Sequence, residues 1–154
     1  MTIIVRPATA ADADQVADID LAARAEALPT VRWAHTPDEV RAWIANVMLP
    51  GGKVWVAEEA GVVVGYLAMK DDWVDQLYVR PGYWRRGIGT TLIRHAKQLR
   101  PDGLRLWCFQ VNARARAFYA AHGFTVAKCT DGSGNEEREP DILFAWRPMQ
   151  DGTM

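Results

Sequence analysis

Leu77-Tyr78-Val79-Arg80-Pro81-Gly82-Tyr83-Trp84-Arg85-Arg86-Gly87-Ile88-Gly89-Thr90-Thr91-Leu92 is the stretch on which the fold turns. An apolar run of strand character meets a Pro-Gly turn, then two arginines, then a Gly-x-Gly that opens a helical pattern. The first turn of a helix carries N–H groups without internal partners and the positive end of the helix dipole, so it receives phosphate. Glycines there let a ligand approach backbone that a Cβ would shield. Two cations at a helix start oppose the dipole, and an anionic ligand reconciles Arg85 and Arg86 with that position. The segment reads as a pyrophosphate cradle. It is not a dinucleotide fingerprint, because Leu92 stands where the third glycine belongs, and no Gly-Lys-Ser/Thr marks a nucleotide triphosphate loop. Taken alone, it is equally a tight helix start without a ligand.

Outward from this point the chain alternates strands and helices. Residues 2–6 read as a strand stopped by Pro7. Thr9 and Asp12 resemble a capping box for a helix running through Val16, Ile19, Ala23 and Ala27. Thr36-Pro37-Asp38-Glu39 starts a second helix with a Thr cap, Pro at its first position and Glu at its third, and Val40, Trp43, Ile44 and Val47 form its apolar stripe. Residues 53–59 and 62–70 read as a hairpin about Ala60-Gly61, and 73–79 as a third strand. Ile88, Leu92, Ile93, Ala96 and Leu99 recur at helical spacing. Residues 104–111 read as a strand, 113–121 as a helix ended by Gly123, and 124–129 and 141–146 as two strands around a polar loop, 131–140. The order is that of a mixed α/β fold with a central sheet in one domain, 1–154.

A second segment, Asn112 to Phe124, starts at a strand end and runs through a helix. Asn112 and Tyr119 are two helical turns apart and project from nearly the same side, as the second wall of a cleft would. The two segments together resemble the GCN5-related N-acetyltransferase (GNAT) family. Its Arg/Gln-x-x-Gly-x-Gly/Ala motif reads Trp84-Arg85-Arg86-Gly87-Ile88-Gly89 here, with Trp84 departing from the first position. Its Asn-x-x-Ala-x-x-Phe/Leu-Tyr-x-x-x-Gly-Phe motif is matched from Asn112 to Phe124.

The resemblance implies a mostly antiparallel sheet of about seven strands flanked by about four helices, splayed between two neighbouring parallel strands, here 73–79 and 104–111. It implies acetyl-CoA as cosubstrate, its pantetheine arm on the strand backbone at Leu77, Tyr78 and Val79. Its pyrophosphate would rest on N–H groups of Arg85, Arg86, Gly87, Ile88, Gly89 and Thr90, with Asn112 as a further cofactor contact. A primary amine would attack the thioester directly, with a strand N–H polarising the carbonyl and no metal required. Tyr119 matches the family's general acid and also borders the cofactor. Asp75 is the first candidate for the base, because strand alternation puts it on the face of Leu77 and Val79; Glu58, His35 and Glu137 are weaker ones. His122 reads as a helix-end cation.

Acceptor selection falls to the region around Trp33 and His35 and to the loop carrying Glu136 and Glu137. That loop alternates oxygen side chains, but Ile142 replaces a calcium loop's twelfth-position Glu, so calcium is rejected. A small-molecule amine is the first acceptor class expected. A protein lysine or N-terminus is the second, and a non-catalytic acyl-CoA-binding regulatory module the third. The net charge of −1 gives no electrostatic case for nucleic acid or a membrane as partner. Cys108 and Cys129 lack metal-ligand spacing and read as buried free thiols of a reducing compartment. The short apolar N-terminus adds to the expectation of a cytoplasmic protein. A homodimer is a family-level expectation, mildly supported by the seven tryptophans.

Overall fold

A computed structural model describes residues 2–148. The strands are β1 (Ile4–Pro7), β2 (Val54–Glu59), β3 (Val62–Lys70), β4 (Trp73–Val79), β5 (Leu104–Phe109), β6 (Thr125–Cys129) and β7 (Asp141–Trp146). The α-helices are α1 (Ala13–Ala27), α2 (Pro37–Trp43), α3 (Ile88–Leu99) and α4 (Ala113–Ala121). One seven-stranded sheet runs β1-β2-β3-β4-β5-β7-β6. All neighbours are antiparallel except β4 and β5, which share a single ladder pair, Trp73 with Arg105. Past that pair the two strands part.

Strand alternation divides the apolar residues between two cores. Ala57, Leu67, Val74, Leu104 and Leu106 pack with Ile88, Leu92, Ile93 and Ala96 of α3. Val54, Val56, Val63, Tyr66 and Ala68 pack with Val16 and Ile19 of α1 and with Ile44 and Met48. β3 is covered on both faces, hence its nearly unbroken apolar run. Gly65 lets α3 lie close: a Cβ there would stand 3.1 Å from Ile88 Cγ2, Leu92 Cδ1 and Tyr78 O. Leu92 is fully buried. Truncating it to Ala leaves a cavity under α3 and costs about 2–5 kcal/mol, read as a lower midpoint in denaturant unfolding.

Several boundaries differ from the sequence expectation for physical reasons. β1 includes Pro7, tolerated because β1 is an edge strand. Thr9 and Asp12 begin with a 3₁₀ turn, and Asp12 Oδ2 accepts from Thr9 N–H at 2.7 Å. Arg6 forks onto the same carboxylate with two bonds of 2.9 Å, holding Asp12 below the usual carboxylate range. Thr36 and Glu39 form the full reciprocal box. α2 stops at Trp43 and passes into a π-type turn, Ile44–Met48, with Leu49 N–H donating to Ile44 O. β5 ends at Phe109 rather than 111, where Asn112 N–H turns back to Phe109 O. Cys108 is buried as expected, whereas Cys129 is exposed on β6. No helix among the described residues is long and apolar enough to cross a membrane.

Candidate active site

The parted strands open into a cleft of about 750 Å³. One wall is Val74 to Val79 of β4, the other Trp107 to Phe109 of β5 backed by Asn112, Ala115, Phe118 and Tyr119. Arg85 and the run Gly87 to Thr90 at the α3 start also line it, as do Ala27, Leu28, Asp75, Asn135 and Glu137. Beyond Trp73 the β4 backbone groups that point towards β5 find no ladder partner among the described residues.

The cradle is built by two glycines that act differently. Gly87 caps α3 at φ 82°, with open space around it. Only glycine takes that conformation without strain. At Gly89 room is the issue: a Cβ would lie 3.1 Å from Phe118 Cε1, so this glycine lets α4 close on α3. Thr91 N–H is the first in α3 to find a partner, Gly87 O at 3.0 Å. The N–H groups of Ile88, Gly89 and Thr90 stay unpaired among the described residues, at the positive end of the dipole. Arg85 lines this end at φ 65°. Arg86 does not line it; its guanidinium lies 5.0 Å from the Tyr83 ring centroid, so a cofactor contact from its side chain has no support in this arrangement.

Trp84, the departure from the family pattern, has a structural role. Its indole N–H donates to Val79 O at 2.8 Å, and Arg114 of α4 stacks over its ring at 4.0 Å. It thereby ties the loop after β4 to both walls. His122 is not the helix-end cation expected. Its Nε2 lies 3.1 Å from Thr90 Oγ1, and burial, Lys97 and Arg94 all hold its pKa down.

Tyr119 is buried among Phe118, Phe124 and Phe144. Its hydroxyl has no hydrogen-bond partner among the described residues, yet the side chain borders the cleft. Burial raises its pKa far above the ordinary tyrosine value, with Cys108 and Tyr78 adding to the shift. Cys108 lines the same wall, and burial pushes its thiol up to about 11. Asn112 caps α4, its Oδ1 accepting from Ala115 N–H at 3.1 Å. That leaves Nδ2 as the group it offers a ligand.

Asp75 occupies a bulge. Ala68 pairs with Gln76 and Met69 with Val74, so Asp75 is an extra residue without a partner on β3. Val74, not Asp75, shares the α3 face with Leu77 and Val79. The alternation argument for Asp75 therefore fails, although the bulge still presents it to the cleft. Surrounding protein raises its carboxyl above the usual range, and Lys70 opposes the shift. On the α1 side of the sheet lies a polar cluster that periodicity did not reveal. The Tyr66 hydroxyl is 2.7 Å from Asp20 Oδ2 and 2.5 Å from the Gln76 side-chain amide. One proton serves one acceptor, so it goes to the carboxylate, and Gln76 turned about its amide donates to the phenol. Arg24 Nε sits 3.1 Å from Asp20 Oδ1 and its guanidinium 5.7 Å from the Tyr78 ring centroid.

The acceptor residues expected from the sequence separate. Glu137 lines the cleft. Glu136, its neighbour, turns away and bonds His35 Nε2 at 2.8 Å, joining the α1–α2 loop to the β6–β7 loop in a shallower depression. Trp33 is exposed and lines neither cavity. The β6–β7 loop is pinned: Asn135 Nδ2 donates to Glu139 O and Asp141 Oδ2, its Oδ1 accepts from Glu139 N–H, and Thr130 Oγ1 donates to Asp141 Oδ1. Asn135→Ala removes three of these bonds and frees Glu137. The expected result is a rise of about tenfold in acceptor KM with acetyl-CoA KM unchanged, in steady-state assays varying each substrate.

The profile of the acetyltransferase (GNAT) family matches residues 19–124. The peptidyl-lysine N-acetyltransferase YiaC of Escherichia coli (strain K12) is 28% identical over 130 residues, covering 80% of this chain and 87% of the relative. The solution structure of apo-form YjaB from Escherichia coli superimposes with a TM-score of 0.80 at 22% identity, covering 95% of this chain and 98% of that one. The PaiA N-acetyltransferase from Thermoplasma acidophilum, crystallised with coenzyme A, gives a TM-score of 0.74 at 19% identity, covering 96% and 100%. With the splayed sheet, the helix-start cradle and a match across residues 19–124, the chain belongs to the GNAT family of acetyltransferases.

Proposed function

We propose that the protein transfers an acetyl group from acetyl-CoA to a primary amine, and that the amine is the side chain of a peptide lysine. The observation that carries this is the meeting, in one cleft, of an unpaired helix start, unpaired strand backbone and a buried phenol. The first two fit a pyrophosphate and an amide-bearing arm: Gly87 to Thr90 would hold the former, and the edge of Leu77 to Val79, apart from the Val79 O that the Trp84 indole occupies, the latter. Acetyl-CoA supplies the activated carbonyl. Holding it beside the amine accounts for much of the rate gain expected. Asp75 takes the proton that the amine gives up as its nitrogen bonds the carbonyl carbon. Tyr119 donates a hydrogen bond to the sulfur as the C–S bond breaks.

Lysine is preferred over a free small amine for two reasons. The relative YiaC is named a peptidyl-lysine N-acetyltransferase. Two carboxyl side chains, Asp75 and Glu137, also line the cleft and suit a cationic amine. Thiol release from acetyl-CoA, measured against lysine peptides and a panel of small amines, is the test. Turnover on peptides supports the reading, and turnover on small amines alone replaces the acceptor class. Silence with both leaves an acyl-CoA-binding module.

A further inference from the structure

β5 sends its side chains to opposite sides of the sheet. Leu104, Leu106 and Cys108 enter the core under α3, whereas Arg105 and Trp107 face the other way. Trp107 is 46% exposed, far more than a packing role needs. It is nevertheless held in place. Its ring lies within 10° of parallel to Trp73, centroids 6.4 Å apart. The Arg105 guanidinium covers the Trp73 ring at 4.2 Å. Asp72 fixes that guanidinium with two bonds of 2.9 Å, from Nε and Nη2. Trp73 and Arg105 are also the single ladder pair joining β4 to β5. The stack thus stands where the splay begins, on backbone tied from both sides.

Trp107 also lines the cleft, with Asp75, Leu28 and Glu137. Its stacking partner Trp73 stands two residues before Asp75 on β4, so Trp107 is an aromatic plate on the Asp75 side of the cleft and open to solvent. Such a plate gives contact area at little cost in side-chain freedom, because its rotamer is already chosen. Its chemistry is apolar, since Asp72 already answers the one cation in the stack. Taking a lysine peptide as the acceptor, we infer that Trp107 contacts the residue beside the target lysine, and that the preferred acceptor carries an aromatic or large aliphatic residue there.

Three peptides that differ only in the residues flanking the lysine, Phe, Gly or Asp, test this. The wild-type kcat/KM for the Phe peptide should exceed that for the Gly peptide about tenfold, the size of one buried aromatic contact. Trp107→Ala should bring that ratio close to one, and Trp107→Phe should keep most of it. The acetyl-CoA KM of both variants reports whether the cofactor half stays folded. A flat ratio in the wild type, or a ratio that survives Trp107→Ala, overturns the assignment. So does a Trp107→Ala variant whose only change is a preference for longer acyl groups, which would place Trp107 at the acyl end. Turnover on small amines with none on any peptide sinks the lysine reading itself, an outcome distinct from good turnover without flank preference.

Discussion

Tyr119→Phe lowers kcat by about 10²- to 10³-fold while the KM for acetyl-CoA moves by less than about threefold. The substitution keeps the ring and its contacts with Phe118, Phe124 and Phe144. No hydrogen bond to another described residue is lost, so stability should hold within about 0.5 kcal/mol. What disappears is the phenol hydrogen that the proposed mechanism offers to the departing sulfur. Burial holds the phenol protonated well above the ordinary tyrosine range. A thiolate, with a pKa of about 8.5, is then a weaker base than the phenolate, so in the proposed mechanism Tyr119 would act chiefly by stabilising sulfur through its hydrogen bond. One corollary concerns pH. Activity should show no alkaline loss from this group near pH 10, where a solvent-exposed tyrosine would ionise. Single-turnover thiol release in both proteins separates the chemical step from cofactor binding. Equal rates would remove Tyr119 from the chemistry.

Asp75→Asn should lower kcat/KM near neutral pH by about 10²-fold. The pH profile is the sharper readout. A general base works deprotonated, so activity climbs as pH rises through its pKa. The protein raises that pKa, chiefly by burial, so the acid limb should lie at higher pH than an ordinary Asp near 3.9 would give. The limb should vanish in Asp75→Asn and persist in Glu137→Gln. The reverse pattern would move the base to Glu137, which also lines the cleft.

Much of this architecture was legible because helices and strands advertise themselves by period. The α3 stripe, the hairpin of β2 and β3, and the caps at Thr36 and Asn112 are local features that local rules read. What escaped depends on pairing partners. The bulge at Asp75 is a mismatch between β3 and β4, so strand alternation within β4 alone assigned that residue the wrong face. Glu136 and Glu137 look alike in sequence, and only the turn pinned by Asn135 and Asp141 sends one outward and the other into the cleft. The motif glycines were legible as a pair, but not the division of labour between conformation at Gly87 and clearance at Gly89. Trp84 was legible as a departure from the motif but not as a tie between the two walls, and Trp107 carried no signal of its own, since a tryptophan reads as core until its neighbours are known.

The single ladder pair between β4 and β5 makes the sheet two half-sheets, of four and three strands, stitched at one end. Without a guest in the gap, amides lining it can exchange with solvent deuterium without global unfolding, whereas those of β3 exchange slowly. A guest that bonds both edges would act as an interior strand and fuse the halves into one cooperative unit. Its affinity is then also folding free energy, growing as RT ln(1 + [L]/Kd). In a cell, the supply of cofactor would set not only how fast this protein works but how long its two halves stay protected from proteolysis.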